Sequence, residues 1–246
     1  QYILSDQPEA PKYFAVMKRV NKEGPRVLGD AGLPEALPID QLTDAVESAT
    51  VIDLTPSNVF ADAHACGSIN IPTSMLALWA GWMVNYSLPV YLIAEANQLA
   101  EATRVLRKIG LDQVRGYFDR AAIANAGLAC ESYQNSSPTE LAPRIEAGEV
   151  ALIDVRSDAE WNAGRIAQAN HEFLGRLPDT VFEISNGKPV VTQCQSGARS
   201  AIAASILQAA GVDAINMTGG MSAWKAAGLP FVTSEGNGDS SCRASA

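Results

Sequence analysis

Val190-Val191-Thr192-Gln193-Cys194-Gln195-Ser196-Gly197-Ala198-Arg199-Ser200 is followed at once by an apolar run over residues 201–210. The stretch reads as a buried strand that stops at a cysteine, turns through a tight loop with one glycine and enters a helix. A loop wrapped on a helix N-terminus directs backbone N–H groups at one spot, and the helix dipole adds positive potential there. Both effects favour the anionic form of Cys194 and of any sulfur or oxyanion held above it. The bland alternative is a small buried hydrophobe, as most free cysteines are. Strand, glycine, arginine and helix together favour a nucleophile. Gly197 lets the backbone curl without a Cβ clash. Ser200, with Ser196, suits a loop donor or helix cap. The planar fork of Arg199 matches an oxyanion such as a sulfonate or carboxylate, the other reading being a salt bridge that braces the loop.

Working outward, a chain of 246 residues is long enough for two domains of ordinary size, and its 47% hydrophobic content can supply two cores. A formal charge of −9 argues against nucleic acid or an anionic membrane as partner, so an anionic substrate must be held by local dipoles and a few arginines. Cys66, Cys130, Cys194 and Cys242 are widely spaced, without a C-x-x-C pair, which suits neither a disulfide framework nor a zinc site. A reducing cytoplasm is expected. His64 and His171 are the two histidines, too few for a histidine-rich metal centre. No charged-then-apolar leader and no apolar run near the ~20 residues of a membrane span is present, so a soluble chain is expected. The sequence starts at Gln1 and not at a methionine, as a fragment of a longer protein does.

From Pro38 the chain repeats itself. A helical segment over 40–48 leads to a strand over 50–54; later a capping box, Ser137-Pro138-Thr139-Glu140, opens a helix that ends near Gly148 before a strand over 150–155. Asp53 and Asp154 correspond. Residues 88–93 match 188–193, the helices ending at Gly110 and Gly211 match, and short strands over 113–117 and 214–217 follow. Each copy closes with a helix ending in Ala-Gly-Leu, at Ala126-Gly127-Leu128 and Ala227-Gly228-Leu229. Alternating strands and helices at this spacing imply an α/β fold with a parallel sheet flanked by helices in each copy. The repeat sets residues 94–100 against 194–201, and the first copy lacks the cysteine, glycine and arginine and carries Glu95 where an anion would approach.

The C-x-x-G-x-R-S pattern resembles the active-site loop of rhodanese-family sulfurtransferases. Phosphatases with a cysteine nucleophile place one more residue between Cys and Arg, a wider cradle that suits a phosphoryl group. Here Gln195, Ser196, Gly197 and Ala198 intervene, the smaller ring that the resemblance assigns to sulfane sulfur. Asp154-Val155-Arg156 with Glu160 and Trp161 is similar to another family segment, in which Arg156 to Glu160 reads most simply as an ion pair. Gly219-Gly220 before Trp224 resembles the family's turn into its last helix, with Trp224 expected in the core. Arg165 and Gln168 depart from the family's frequent histidine and glycine. Residues 64–72 are similar to the family's glycine and Asn-Ile-Pro turn, where Cys66 reads as structural. The apolar stripe over 75–83 reads as core or interface packing.

The resemblance implies two tandem rhodanese-like domains. Residues 1–33 form an arm or linker, similar to the tail that joins a metallo-β-lactamase-fold domain to rhodanese domains and expected to cover apolar surface on the first domain. A rhodanese-like domain without catalytic cysteine spans 34–129 and frames a cleft, 130–136 is a linker, 137–233 is the catalytic domain, and 234–246 is a disordered tail. It further implies that Cys194 carries a persulfide, stabilised by the N–H groups of residues 195–200, between a donor such as thiosulfate or a glutathione persulfide and an acceptor such as cyanide, sulfite or a thiol. Small sulfur anions or thiols are the expected partners, with a metallo-β-lactamase-fold domain or a sulfur-acceptor protein beside them. No metal, nucleotide or flavin is implied. The competing readings are a cysteine-dependent phosphatase or arsenate reductase, and a non-catalytic persulfide sensor or relay.

Overall fold

The computed structural model describes residues 10–24, 27, 32–112, 114–184 and 187–233. They divide into two compact units, one ending at Ser132 and the other starting at Tyr133, with Gln208–Ala210 grouped with the first. The expected tail over 234–246 and the first nine residues of the expected arm lie outside the described residues.

The first unit contains α1 (Lys12–Glu23), α2 (Leu42–Ser48), β1 (Thr50–Asp53), α3 (Ser57–Asp62), β2 (Ile69–Asn70), α4 (Thr73–Met83), β3 (Val90–Ala94), α5 (Leu99–Lys108), β4 (Val114–Asp119) and α6 (Arg120–Asn125). The sheet is parallel, in the order β2-β1-β3-β4. Its central strands β1 and β3 are mostly β-branched and aliphatic and buried nearly throughout, as strands covered on both faces are, whereas the edge strand β4 alternates. Leu42, Ala45, Val51, Ile93, Phe118 and Ile123 belong to one buried hydrophobic cluster of this unit. Of the apolar stripe over 75–83, Leu76, Ala80, Gly81 and Met83 are buried, while Leu78 stays exposed. α1 lies on this helix, the ring of Tyr13 occupying the space that a side chain at Gly81 would fill.

The second unit contains β5 (Gln134–Ser136), α7 (Pro138–Glu146), β6 (Ala151–Asp154), α8 (Asp158–Ala163), β7 (Ala169–His171), α9 (Leu177–Ile184), β8 (Val190–Gln193), α10 (Ala198–Ala209), β9 (Ala214–Met217) and α11 (Gly220–Ala226). The order β5-β9-β8-β6-β7, read from its other edge, repeats that of the first sheet with one strand added. The anticipated capping box is present: Ser137 Oγ accepts from the Glu140 amide, and the Glu140 carboxylate accepts from the Ser137 N–H. Leu141, Leu152, Ile166, Val191, Met217, Met221 and Trp224 make the core, so Trp224 is the core residue anticipated, with its indole N–H on the Pro230 carbonyl at 2.8 Å.

The boundary between the units falls inside residues 130–136, expected as a linker, but the second half of that stretch is built into structure. Gln134–Ser136 is a strand parallel to β9, and Tyr133 is buried with its hydroxyl 3.3 Å from the Ala201 carbonyl. A short polar run carries no strand periodicity of its own; the open edge of β9 supplies the hydrogen-bond partners that make it one. Replacing Leu152, 1% exposed at the centre of this core, by Ala should lower unfolding stability by about 2–5 kcal/mol. Denaturant unfolding followed by tryptophan fluorescence measures it, and a loss below the cost of an Ile-to-Val change would mean that the centre is not close-packed.

Candidate active site

β8 is buried along its whole length and delivers Cys194 directly past its last residue. The loop after it is pinned from outside. The Met221 N–H donates to the Cys194 carbonyl at 2.8 Å and the Ser222 N–H to the Gln195 carbonyl at 3.0 Å, so the first amides of α11 take up both loop carbonyls. The Gln195 side chain adds a bond to Ser222 Oγ at 2.9 Å. Gly220, at φ 51°, packs so close that a Cβ there would overlap the Cys194 carbonyl. Gly197, at φ 93°, turns the loop, and a Cβ on it would come within 2.9 Å of the Gly219 nitrogen.

With its carbonyls held away, the loop turns the Gly197 N–H onto Cys194 Sγ at 3.2 Å. Ser200 Oγ lies 3.5 Å from the same sulfur, 3.1 Å from the Gly197 carbonyl and 2.7 Å from Asn216 Oδ1. One hydroxyl proton serves one of these acceptors at a time, and the shortest contact is to Asn216. Asn216 in turn donates to Asn135 Oδ1 at 2.9 Å, which ties the loop to β5 and β9. Thr192 Oγ1 donates to the Ser200 carbonyl at 2.9 Å from below.

Of the amides expected around the sulfur, the Gly197 N–H reaches Cys194 Sγ itself, with the Ser200 hydroxyl beside it, while Gln195, Ser196 and Ala198 are exposed residues of the loop. The open cup is corrected: Cys194 is 0% exposed.

The ion pairs differ from the sequence reading. Arg156 does not meet Glu160; its Nε and Nη2 clasp Asp154 at 2.6–3.1 Å, and Nη2 also donates to the Gly164 carbonyl. The Arg156 amide donates to the same carboxylate, so the turn residue closes on the aspartate two positions back. Glu160 is thereby left for Arg199, whose Nη1 and Nη2 donate to Oε2 and Oε1 at 2.7 and 2.6 Å. Of the two roles read for Arg199, the structure shows the brace; its fork is filled by a carboxylate of the protein. Glu160 also caps α8 by accepting from the Ser157 amide and hydroxyl. Arg199 and Ser157 hold the Glu160 carboxyl down at about 2, the Arg199 hydrogen bonds contributing most and burial opposing them. The Arg199 guanidinium is held above its usual range first by Glu160 and further by the Cys194 sulfur beside it. Arg165 stacks over the Trp161 ring at 5.0 Å, away from this loop's hydrogen bonds.

Asn216, Asn135 and the partnership of Glu160 with Arg199 were not anticipated. A signal existed for the first: a lone Asn in the apolar strand Ala-Ile-Asn-Met must find a partner inside. In the first unit, Asp53 pairs with Ile93 as Asp154 pairs with Gln193, so Ala94 holds the place of Cys194. The turn that follows is closed by its own side chains, Glu95 and Gln98 capping it reciprocally and Gln98 Nε2 reaching Thr73 Oγ1 at 3.0 Å. Cys66, read as structural, is exposed and lies against Cys130.

A parallel α/β sheet in which a cysteine directly follows one strand and a helix starts five residues after that strand's end defines a class of strand–loop–helix sites. Residues 137–227 match the rhodanese-like domain family. The chain is 39% identical over 90 residues to a putative sulfurtransferase YtwF of Bacillus subtilis, spanning 36% of this chain and 87% of that protein. It is 38% identical over 89 residues to a sulfurtransferase of Allochromatium vinosum, spanning 36% of this chain and 83% of that one. A rhodanese-like domain protein of Staphylococcus aureus of known crystal structure is 33% identical, with a TM-score of 0.35 over 37% of this chain and 90% of that one. The chain belongs to the rhodanese-like family.

Two measurements follow from this geometry. Because the Glu160 carboxyl is depressed in the folded state, its pairing is fully present above pH 4.5 and is lost as pH falls toward about 2. Thermal melts across that window should fall more steeply for the wild type than for Glu160→Gln; equal slopes would refute the brace. Gly220→Ala should cost about 1–3 kcal/mol through overpacking against the Cys194 carbonyl, read by denaturant unfolding.

Proposed function

We propose that the chain is a sulfurtransferase that carries sulfane sulfur as a persulfide on Cys194. The donor is thiosulfate or a glutathione persulfide, and the acceptor is cyanide, sulfite or a thiol. The observation that carries the reading is the hydrogen bond of the Gly197 amide to Cys194 Sγ, at the start of a twelve-residue helix and inside the segment that matches the rhodanese-like family.

In this reading the Cys194 thiolate attacks the outer sulfur of thiosulfate. The new Cys194 S–S bond forms as the donor's S–S bond breaks, and sulfite leaves with the electron pair. The acceptor then attacks the terminal sulfur: cyanide becomes thiocyanate and the thiolate is restored. The Gly197 N–H, the dipole of α10 and the charge of Arg199 stabilise negative sulfur at this point. Arg199 acts from its place on Glu160 as a positioning residue. The four residues between Cys194 and Arg199 support sulfur over phosphoryl chemistry, as the tighter loop leaves less room.

Burial of Cys194 means that the side chains over it shift to admit a donor while the loop backbone stays held, and the exposed Gln195, Ser196 and Ala198 mark the side of approach. The first unit, with its self-capped turn at the matching place, serves as a non-catalytic copy of the same fold in a tandem arrangement over 34–129 and 137–233. A metallo-β-lactamase-fold domain or a sulfur-acceptor protein would be the macromolecular partner, in a reducing cytoplasm.

Incubation with thiosulfate should raise the intact mass by one sulfur, and cyanide should remove it. Cys194→Ser should abolish both this gain and steady turnover. Arg199→Ala should lower thiosulfate kcat/KM by about tenfold to a hundredfold, the size of one charge-assisted hydrogen bond, with Arg199→Lys recovering part of it. Loading in a single round without steady turnover would instead identify a relay, and no sulfur gain at all would refute the persulfide.

A further inference from the structure

The first unit holds a second pair of sulfurs that this chemistry does not use. Cys66 and Cys130 are 64 positions apart in sequence, yet their Sγ atoms lie 3.1 Å apart and both residues are exposed. Main-chain bonds create the approach. His64 and Glu131 form an isolated antiparallel bridge, with the His64 N–H on the Glu131 carbonyl at 2.9 Å and the Glu131 N–H on the His64 carbonyl at 3.1 Å. His64 is itself anchored, its Nδ1 at 2.7 Å from the Phe60 carbonyl and its ring stacked on Phe60. Just beyond the bridge, the Ser68 amide and hydroxyl both donate to the Ala65 carbonyl, at 3.2 and 2.7 Å. Gly67, at φ 73°, completes the turn that sets Cys66 over Cys130. Two thiols on mobile side chains would meet occasionally; these are attached to a backbone already hydrogen-bonded together. A disulfide has an S–S length of about 2.05 Å, so closure needs an approach of roughly 1 Å, within reach of side-chain rotation.

We propose that Cys66 and Cys130 are a redox-active dithiol that exchanges with low-molecular-weight disulfides of the glutathione type, passing between two thiols and one intramolecular disulfide. One of the two cysteines, as thiolate, attacks one sulfur of the small disulfide; a mixed disulfide forms and the first small thiolate leaves. The other cysteine then gives up its proton and attacks the protein sulfur of that mixed disulfide, expelling the second small thiol. Two electrons pass from the dithiol to the small disulfide, and the two thiol protons end on the two small thiols. A hydrogen bond to Cys130 first, then burial and the neighbouring Glu131 carboxylate, push the Cys66 thiol up to about 12. The disulfide so formed ties the loop before β2 to the chain near the end of the first unit.

The full chain, incubated in mixtures of reduced and oxidised glutathione of graded ratio, quenched in acid and alkylated, should lose two alkylatable thiols. Non-reducing peptide mapping should join the Cys66 and Cys130 peptides. Cys66→Ser should stop at a glutathione adduct on Cys130. Cys194→Ser should form the cross-link as the wild type does, which separates this site from the sulfur-transfer reading. Glutathione adducts on both cysteines with no cross-link, or a bond from either to Cys194 or Cys242, would overturn the proposal.

Discussion

The second unit turns on a pair of main-chain hydrogen bonds. When the first two free amides of α11 take the carbonyls of Cys194 and Gln195, the loop after β8 has its acceptors turned outward. A cysteine ringed by its own loop's carbonyls would meet negative partial charge. With those carbonyls engaged, the Gly197 N–H meets the sulfur instead. The close contact that permits this also explains the glycine pair: at Gly220 there is no room for a Cβ against the Cys194 carbonyl, and Gly219 at φ 70° makes the turn that brings α11 there.

A second constraint acts from the opposite side. Glu160 caps α8 with the same carboxylate that receives Arg199, so the start of one helix and the first turn of another are fastened through one side chain. Beneath, Ser200, Asn216 and Asn135 run a chain of hydrogen bonds from the loop to the sheet edge. Ser200 and Asn216 are buried, and each has its partner, as a polar group removed from water requires. The loop is thus a rigid piece held at three places, and preorganisation of this kind is what a site that stabilises negative charge needs.

The two units show what the same topology does with different loops. Their sheets share a strand order, and both carry an aspartate at the end of the second strand in the order that bonds the amide two residues on: Asp53 to Thr55 and Asp154 to Arg156. In the first unit the following position is Ala94, and a Glu95–Gln98 capping box closes the turn. What remains chemically distinctive in that unit is elsewhere, where a two-residue bridge brings Cys66 and Cys130 into contact.

Alternation of apolar strands with capped helices was legible from the residues, as were the Ser137–Glu140 box, the loop at Cys194 and the empty counterpart at Ala94, because each rests on local chemistry or on fixed spacing. The conversion of residues 134–136 into a strand was not, since its partners come from the edge of β9. Nor was the choice among ion pairs. Asp154, Arg156, Glu160 and Arg199 could be read as charges, but which carboxylate meets which guanidinium depends on where a turn and two helices end in space. The sealing of Cys194 and the meeting of Cys66 with Cys130 belong to the same kind. Sequence determines what chemistry each side chain can offer and which stretches repeat; burial and long-range pairing are set by contacts between segments far apart along the chain, and those exist only once the sheets have formed.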